Sequence, residues 1–350
     1  MTTTELRLDV LHQLSNLNGV PGYEDAVRDF VLRELEGLAD EVRVDPLGNV
    51  IAVRRGREDA AEGRERVMLS AHMDEIGFLV RFIDDRGFLR VQPLGGFDPR
   101  NLFARNVTVQ TRGGALPGIM TPGGKPIHIS SPEDRKKVPE LSEFFVDLGL
   151  DVDEVRRRVR VGDMVTLDQT ARQIGKLTVG KALDDRACVF LQLELLRAFQ
   201  GTRPRHDVVA VFSVQEEVGL RGAGVAAYGV EPTLGIGLDV TLAVDTPGAG
   251  PEAAVTRLGE GIGIKVFDSS MISTRRLVDE FTDLAEREGI RHQLEVLPLG
   301  GTDGAAIQLS RLGVPSITLS VPTRYIHTVV EAVHEDDLRA GLALLVAYLS

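Results

Sequence analysis

RVMLSAHMDEIG, residues 66–77, is an apolar run that stops abruptly on polar residues. It reads as a strand buried on both faces, and His72-Met73-Asp74 at its end offers two side chains with metal-binding chemistry. The same figure recurs downstream. DVVAVFSVQ ends in Glu216-Glu217, LGIGL ends in Asp239, and PSITLSVPTRY leads to His327. Helical patterns separate these runs: DDRACVFLQLELLRAF, GAGVAAYG, STRRLVDEFTDLAERE and DGAAIQLSRL, with EDDLRAGLALLVAYL closing the chain. Apolar strands alternating with helices predict an α/β layer structure, a mixed and largely parallel sheet flanked by helices.

Toward the N-terminus, Leu6, Val10, Leu11, Leu14 and Leu17 fall at helical spacing until Gly19, Pro21 and Gly22 break it. A second amphipathic helix runs through Val27, Phe30, Val31 and Leu35. Strands EVRVD and NVIAVRR follow around a turn at Pro46 to Asn49, and the charged stretch Gly56 to Arg66 reads as an exposed hairpin loop. From Ile76 to Ile174 the texture changes to short alternating segments (FLVRFI, GFLRVQ, NVTVQT, DMVTL) punctuated by Gly and Pro. That pattern predicts a small β-barrel or sandwich with one short helix near Asp153 to Val159. The expectation is a discontinuous α/β domain, residues 1–75 and 175–350, interrupted by an inserted β-barrel domain, residues 76–174.

Composition narrows the function. At ~150 residues per domain, 350 residues make about two domains. Hydrophobic residues are 43% and charged residues 26%, which excludes disordered and fibrous classes. A single cysteine, Cys188, rules out an intramolecular disulfide and gives no sign of an oxidising compartment. No apolar run approaches the ~20 residues of a membrane span, and the first residues lack the pattern of a secretory signal, so a cytoplasmic location is expected. A net charge of −12 argues against nucleic acid as a partner.

In open α/β sheets ligands bind beyond the carboxyl ends of the strands. His72, Glu216-Glu217, Asp239 and His327 could therefore surround one point, with Asp184 joining from the start of a helix. Histidines with carboxylates suit zinc, cobalt or manganese, and a bridging carboxylate would allow two metals ~3.5–4 Å apart. His72 and Asp74 share a strand face, so Asp74 could orient His72 or be a ligand itself. Glu216 and Glu217 point apart, so one can bind metal while the other acts as general base. Taken singly each has a plainer reading: a structural histidine, a solvated Glu pair, a helix cap at Asp184-Asp185.

Taken together, AHMDEIGF, KALDDRA, QEEVGLRGA, GLDV, GGTDGAAI and VPTRYIHT resemble the self-compartmentalising metallo-aminopeptidases of the tetrahedral (TET) type, and in that family's order. Members carry names such as deblocking, glutamyl or leucyl aminopeptidase, and some are called endoglucanases. The resemblance spans the chain from GVPGYEDAVR to HTVVEAVHEDDL and implies a zinc-peptidase-like catalytic domain. It also implies two divalent metals per subunit, Zn²⁺ or Co²⁺ with Mn²⁺ as a further option. His72 and Asp239 would bind one, Glu217 and His327 the other, and Asp184 both. Glu216 would be the general base, Asp74 would support His72, and the Asp184–Asp185 peptide bond would be cis. The implied activity is release of N-terminal amino acids from short peptides. The implied assembly is dimers formed through the β insertion, closing into a tetrahedral dodecamer.

Gly301, Thr302 and Asp303 lie near the substrate by the same resemblance, although the loop could be only a helix cap. His128, in GGKPIHIS, is a candidate for reaching a neighbouring subunit. HTVVE stands where relatives commonly have HT-Pro-x-Glu, and Cys188 reads as a packed small hydrophobe. The expected N-terminal substrate residue is neutral or acidic. Two alternatives stand beside this reading, a glycoside hydrolase and a non-catalytic oligomeric protein on the same fold. The first needs no metal and usually an aromatic platform, yet Trp is absent and aromatics are 5%.

Overall fold

Alternation along the central strands splits the core into two apolar faces. In the computed structural model, which describes residues 5–57 and 64–350, Val67, Leu69 and Ala71 face one side and Met68 the other. Of the loop expected at Gly56 to Arg66, residues 58–63 lie outside the described residues. The chain opens with helices α1 (Leu8–Asn16) and α2 (Asp25–Glu34), then strands β1 (Glu41–Val44), β2 (Val50–Arg54) and β3 (Arg66–His72). Six strands follow: β4 (Gly77–Ile83), β5 (Leu89–Leu94), β6 (Arg105–Thr111), β7 (Gly114–Pro122), β8 (Phe144–Asp147) and β9 (Met164–Leu167), with helix α3 (Val152–Arg158) before the last. Then come β10 (Arg172–Ile174), β11 (Leu177–Gly180), α4 (Leu183–Ala198), β12 (Asp207–Ser213), α5 (Arg221–Val230) and β13 (Leu234–Leu242). The remainder is β14 (Ile262–Phe267), α6 (Arg275–Glu288), β15 (His292–Val296), α7 (Asp303–Gln308), β16 (Ser316–Arg324), β17 (Glu331–His334) and α8 (Glu335–Leu349).

Strands β4 to β9 close into an antiparallel barrel of order β4-β5-β8-β7-β6-β9. The remaining eleven form one mixed sheet along the path β1-β2-β12-β3-β13-β16-β17-β11-β10, with β14 attached to β16 and β15 running parallel beside β14. The strands β12, β3, β13 and β16 run parallel at its centre, and the flanks are antiparallel. Strand β10 pairs with β11 in this sheet, not in the barrel. Helices α1, α2, α4, α6 and α8 pack on one face, α5 and α7 on the other. Helix α4 is buried from Leu183 to Leu196, the pattern of a helix with no solvent face. The expected α/β sheet and β-barrel are both present. DGAAIQLSRL yields a helix only through Gln308, and His334 caps α8 by accepting from the Asp336 N–H.

Close backbone approach fixes α7. A Cβ on Gly237 would lie 2.8 Å from Gly304 N, and one on Gly235 would lie 2.4 Å from Ile307 Cγ2. The start of α7 therefore sits directly against the parallel strands. Among the described residues no helix is long and apolar enough to cross a membrane.

One buried ion pair fastens the entry to the barrel. Lys181 Nζ lies 2.7 Å from both carboxylate oxygens of Glu75 and donates to Leu17 O, and Glu75 accepts from the Gly19 N–H. Both side chains are at least 96% buried, at 4% and 3% exposure. Lys181→Met should cost about 3–5 kcal/mol, because it leaves the Glu75 charge uncompensated. Adding Glu75→Gln should recover part of that loss, and guanidinium unfolding followed by circular dichroism measures both.

Candidate metal centre

The carboxyl ends of the four parallel strands deliver the site. His72 is the last residue of β3 and lies beside Ser213 of β12, whose extension carries Glu216 and Glu217. Asp239 is within β13, Asp184 opens α4 after β11, and His327 follows β16. The loops are drawn tight around this point. Ala182, Gln215, Leu220, Tyr325 and His327 all hold φ between 54° and 62°, a left-handed conformation that costs L residues ~1–2 kcal/mol each. Such strain concentrates where a site dictates the backbone. The Asp184–Asp185 peptide bond is cis.

Asp184 occupies the middle. Its Oδ1 lies 3.2 Å from His72 Nε2 and its Oδ2 lies 3.3 Å from His327 Nε2. His327 Nε2 is also 3.3 Å from Glu217 Oε1, and His72 Nε2 is 3.8 Å from Glu216 Oε2. Ligand atoms lie within 4.8 Å of one another in three groups: His72-Asp184-Asp239, Asp184-Glu217-His327 and His72-Glu216-Glu217.

The electrostatics show what this constellation lacks. Burial, then the Asp184 charge, pushes Asp239 well above the carboxylate range, and burial likewise raises Glu216 and Glu217 against the pull of the histidines. Burial disfavours a charged His327, yet the carboxylates of Asp184 and Glu217 outweigh it and push the imidazole up to about 12. Among the described residues lining the cleft there is no lysine or arginine. Four buried carboxylates with two imidazoles, and neither lysine nor arginine among the described lining residues, form a donor set that fits divalent cations.

A second set of carboxylates holds these groups by their backbones. Asp74 accepts from the N–H of Glu216 at 3.0 Å and of Glu217 at 3.1 Å. His72 Nδ1 instead lies 3.0 Å from the Asp74 backbone carbonyl, and 3.6 Å from the carboxylate. Asp74 thus supports the glutamate pair most directly. Asp185 accepts from the His72 N–H at 3.1 Å. Glu331, which sequence reasoning quoted in HTVVE without assigning it, accepts from the Asp184 N–H at 3.0 Å and the His327 N–H at 2.8 Å. Burial, then Asp184, raises its carboxyl to about 8.

The remaining candidates separate. Gly301 lines the cleft, whereas Thr302 and Asp303 are buried beneath it. Asp303 accepts from the hydroxyls of Ser70 on β3 and Ser213 on β12, and Thr302 Oγ1 meets Thr318 Oγ1 at 2.9 Å. His128 sits on an exposed turn of the barrel, Ile127–Ile129, away from the cleft lining. Missed altogether was the turn after β5. A Cβ on Gly95 would lie 3.0 Å from Glu217 Oε2, and one on Gly96 would lie 3.4 Å from His327 Nδ1.

Glu331→Ala would strand two backbone donors, at about 1–3 kcal/mol each if they stay buried. Urea unfolding should show the loss, and the His327 amide should exchange faster with deuterium. Glu331→Gln, which keeps one carbonyl oxygen, should lie between.

Comparison with known proteins matches nearly the whole chain. The sequence profile of the M42 glutamyl aminopeptidase family matches residues 48–344. The lysyl aminopeptidase of Pyrococcus furiosus is 34% identical over 350 residues, covering 97% of this chain and 96% of that one. The structure of an aminopeptidase from the archaeon Desulfurococcus kamchatkensis superposes with a TM-score of 0.91 at 37% identity, over 97% of this chain and 93% of that one. The TET1 peptidase of Pyrococcus horikoshii, which can assemble into a tetrahedron or a large octahedral shell, matches with a TM-score of 0.86 at 32% identity, over 98% of both chains.

Proposed function

The chain belongs to the M42 glutamyl aminopeptidase family and is an aminopeptidase, and on that premise we propose that it is a dinuclear metallo-aminopeptidase releasing N-terminal residues from short peptides. The observation that carries the reading is Asp184, whose two oxygens face two histidines on opposite sides. His72 and Asp239 would hold one ion, Glu217 and His327 the other, and Asp184 both. Zn²⁺ or Co²⁺ suits this donor set, and Mn²⁺ is compatible. When bound, the ions supply Lewis acidity at the scissile carbonyl and lower the pKa of water.

Glu216 is the general base. Its carboxylate opens onto the cleft while its backbone is held by Asp74, so it can take a proton from the attacking water and hand it to the leaving amine. The substrate's free α-amino group would be held beside the centre, which makes cleavage N-terminal. The glycoside-hydrolase alternative is disfavoured because no aromatic side chain lines the cleft among the described residues. Residues 1–75 and 175–350, with β10 joining their sheet, would form the catalytic domain, and the rest of 76–174 the inserted dimerisation domain. Exposed Ile119, Ile127, Ile129 and Val138 on or beside the barrel support a surface that pairs with a second copy. A tetrahedral dodecamer, located in the cytoplasm, is the assembly this reading favours.

Metal-free protein should fail to hydrolyse aminoacyl-p-nitroanilides and recover with Zn²⁺, Co²⁺ or Mn²⁺, while N-blocked substrates stay intact. Glu216→Gln should lose about 10²–10⁴-fold in kcat with its metal content unchanged. No divalent ion bound to the purified protein would overturn the mechanism. Light scattering should return twelve times the 38.1 kDa of one chain.

A further inference from the structure

The names within the family run from glutamyl to lysyl, so the side chain accepted by this chain has to be read from its own cleft. Beside the metal centre the cleft encloses ≈ 460 Å³. Its ionisable lining residues are the two histidines and four carboxylates of the centre, already committed to metal binding and proton transfer. The rest of the wall is apolar apart from Thr241: Leu220, Val240, Leu242, Leu297, Leu299 and Ile326, with the Gly300-Gly301 turn.

These side chains come from four separate segments, each attached to a site residue or to the turn opposite. Leu220 follows the glutamate pair, Val240 and Leu242 follow Asp239 on β13, Leu297 and Leu299 follow β15, and Ile326 precedes His327. Leu242 is 40% exposed and Leu299 79% exposed, so apolar area waits uncovered at the mouth. The polar groups nearby are turned away. The Thr241 hydroxyl donates to Glu295 Oε1 at 2.6 Å, and Glu295 is in turn taken by the fully buried Lys265 at 2.6 Å. A carboxylate or ammonium head placed against this wall would lose hydration and gain no partner.

Resting on the aminopeptidase reading above, we infer that this chain selects peptides whose N-terminal residue is neutral and aliphatic, of leucine or methionine type, and discriminates against Glu and Lys. Aliphatic side chains cover the exposed leucines, and each methylene buried in such a pocket changes kcat/KM by roughly tenfold or more.

The test compares Leu-, Met-, Glu- and Lys-p-nitroanilide on the metal-loaded enzyme and on two variants, Leu242→Glu and Leu242→Lys. The wild type should favour Leu and Met by about tenfold or more over Glu and Lys. The Leu242→Glu variant should raise the Lys/Leu ratio of kcat/KM and the Leu242→Lys variant the Glu/Leu ratio. Ratios taken within one preparation are insensitive to how much of it is folded. Cleavage of Glu- or Lys-p-nitroanilide at or above the Leu rate overturns the inference, as does a pair of ratios that neither variant moves. Absence of cleavage of any free-amine substrate would instead bring down the aminopeptidase reading itself.

Discussion

Asp184 shares its two carboxylate oxygens between His72 and His327, at 3.2 and 3.3 Å, in a space that also holds Glu216, Glu217 and Asp239. Ligand oxygens of Asp239 and Glu217 each lie within 4.8 Å of one on Asp184, and like charges that close and away from water repel by several kcal/mol. Among the described residues the lining contains no lysine or arginine, so only the two imidazoles offset them. A fold does not gather four carboxylates this way for its own stability. The concentration of buried carboxylates suits metal binding, and the rest of the molecule keeps those groups in one place.

The restraint works mainly through backbone. Asp74 and Glu331 spend both carboxylate oxygens, and Asp185 one, on N–H groups of site residues, fixing where those side chains begin. The left-handed φ of Gln215, Leu220, Tyr325 and His327 belongs to the same economy: tight loops after β12 and β16 turn side chains inward at a local conformational cost. The parallel centre of the sheet provides the rigid frame. The Ser70 and Ser213 hydroxyls tie β3 and β12 to Asp303 at the start of α7.

The sheet, the barrel and most of the six residues grouped at the centre were legible because strands with a single buried function leave a strong sequence signature, an apolar run ending on a polar letter. Glu331 was harder. It lies on β17, a four-residue strand hidden between His327 and the last helix, and a buried glutamate there looks no different from the acidic residues of the helix start that follows. Thr302 and Asp303 carried the right motif but face the interior, because α7 turns them under the strands. The apolar wall was beyond reading for a simpler reason. Leu220, Val240, Leu297 and Ile326 are unremarkable aliphatics from distant segments, and only the folded chain places them on one surface.

The barrel reaches further than its position in the chain implies. Gly95 holds φ of 85° at the end of β5, and a side chain there would press on Ile76 Cγ2 at 2.5 Å and Glu217 Oε2 at 3.0 Å. Gly96 would bring a methyl to 3.4 Å from His327 Nδ1. The barrel's own turn is therefore part of the wall behind two of the site residues, and glycine is what lets backbone come this near. Entry to the barrel is anchored by Glu75 on Lys181, three residues before Asp184. A displacement of the barrel relative to the sheet must pass through both contacts. The element that separates most clearly from the sheet in topology is thus mechanically continuous with the centre.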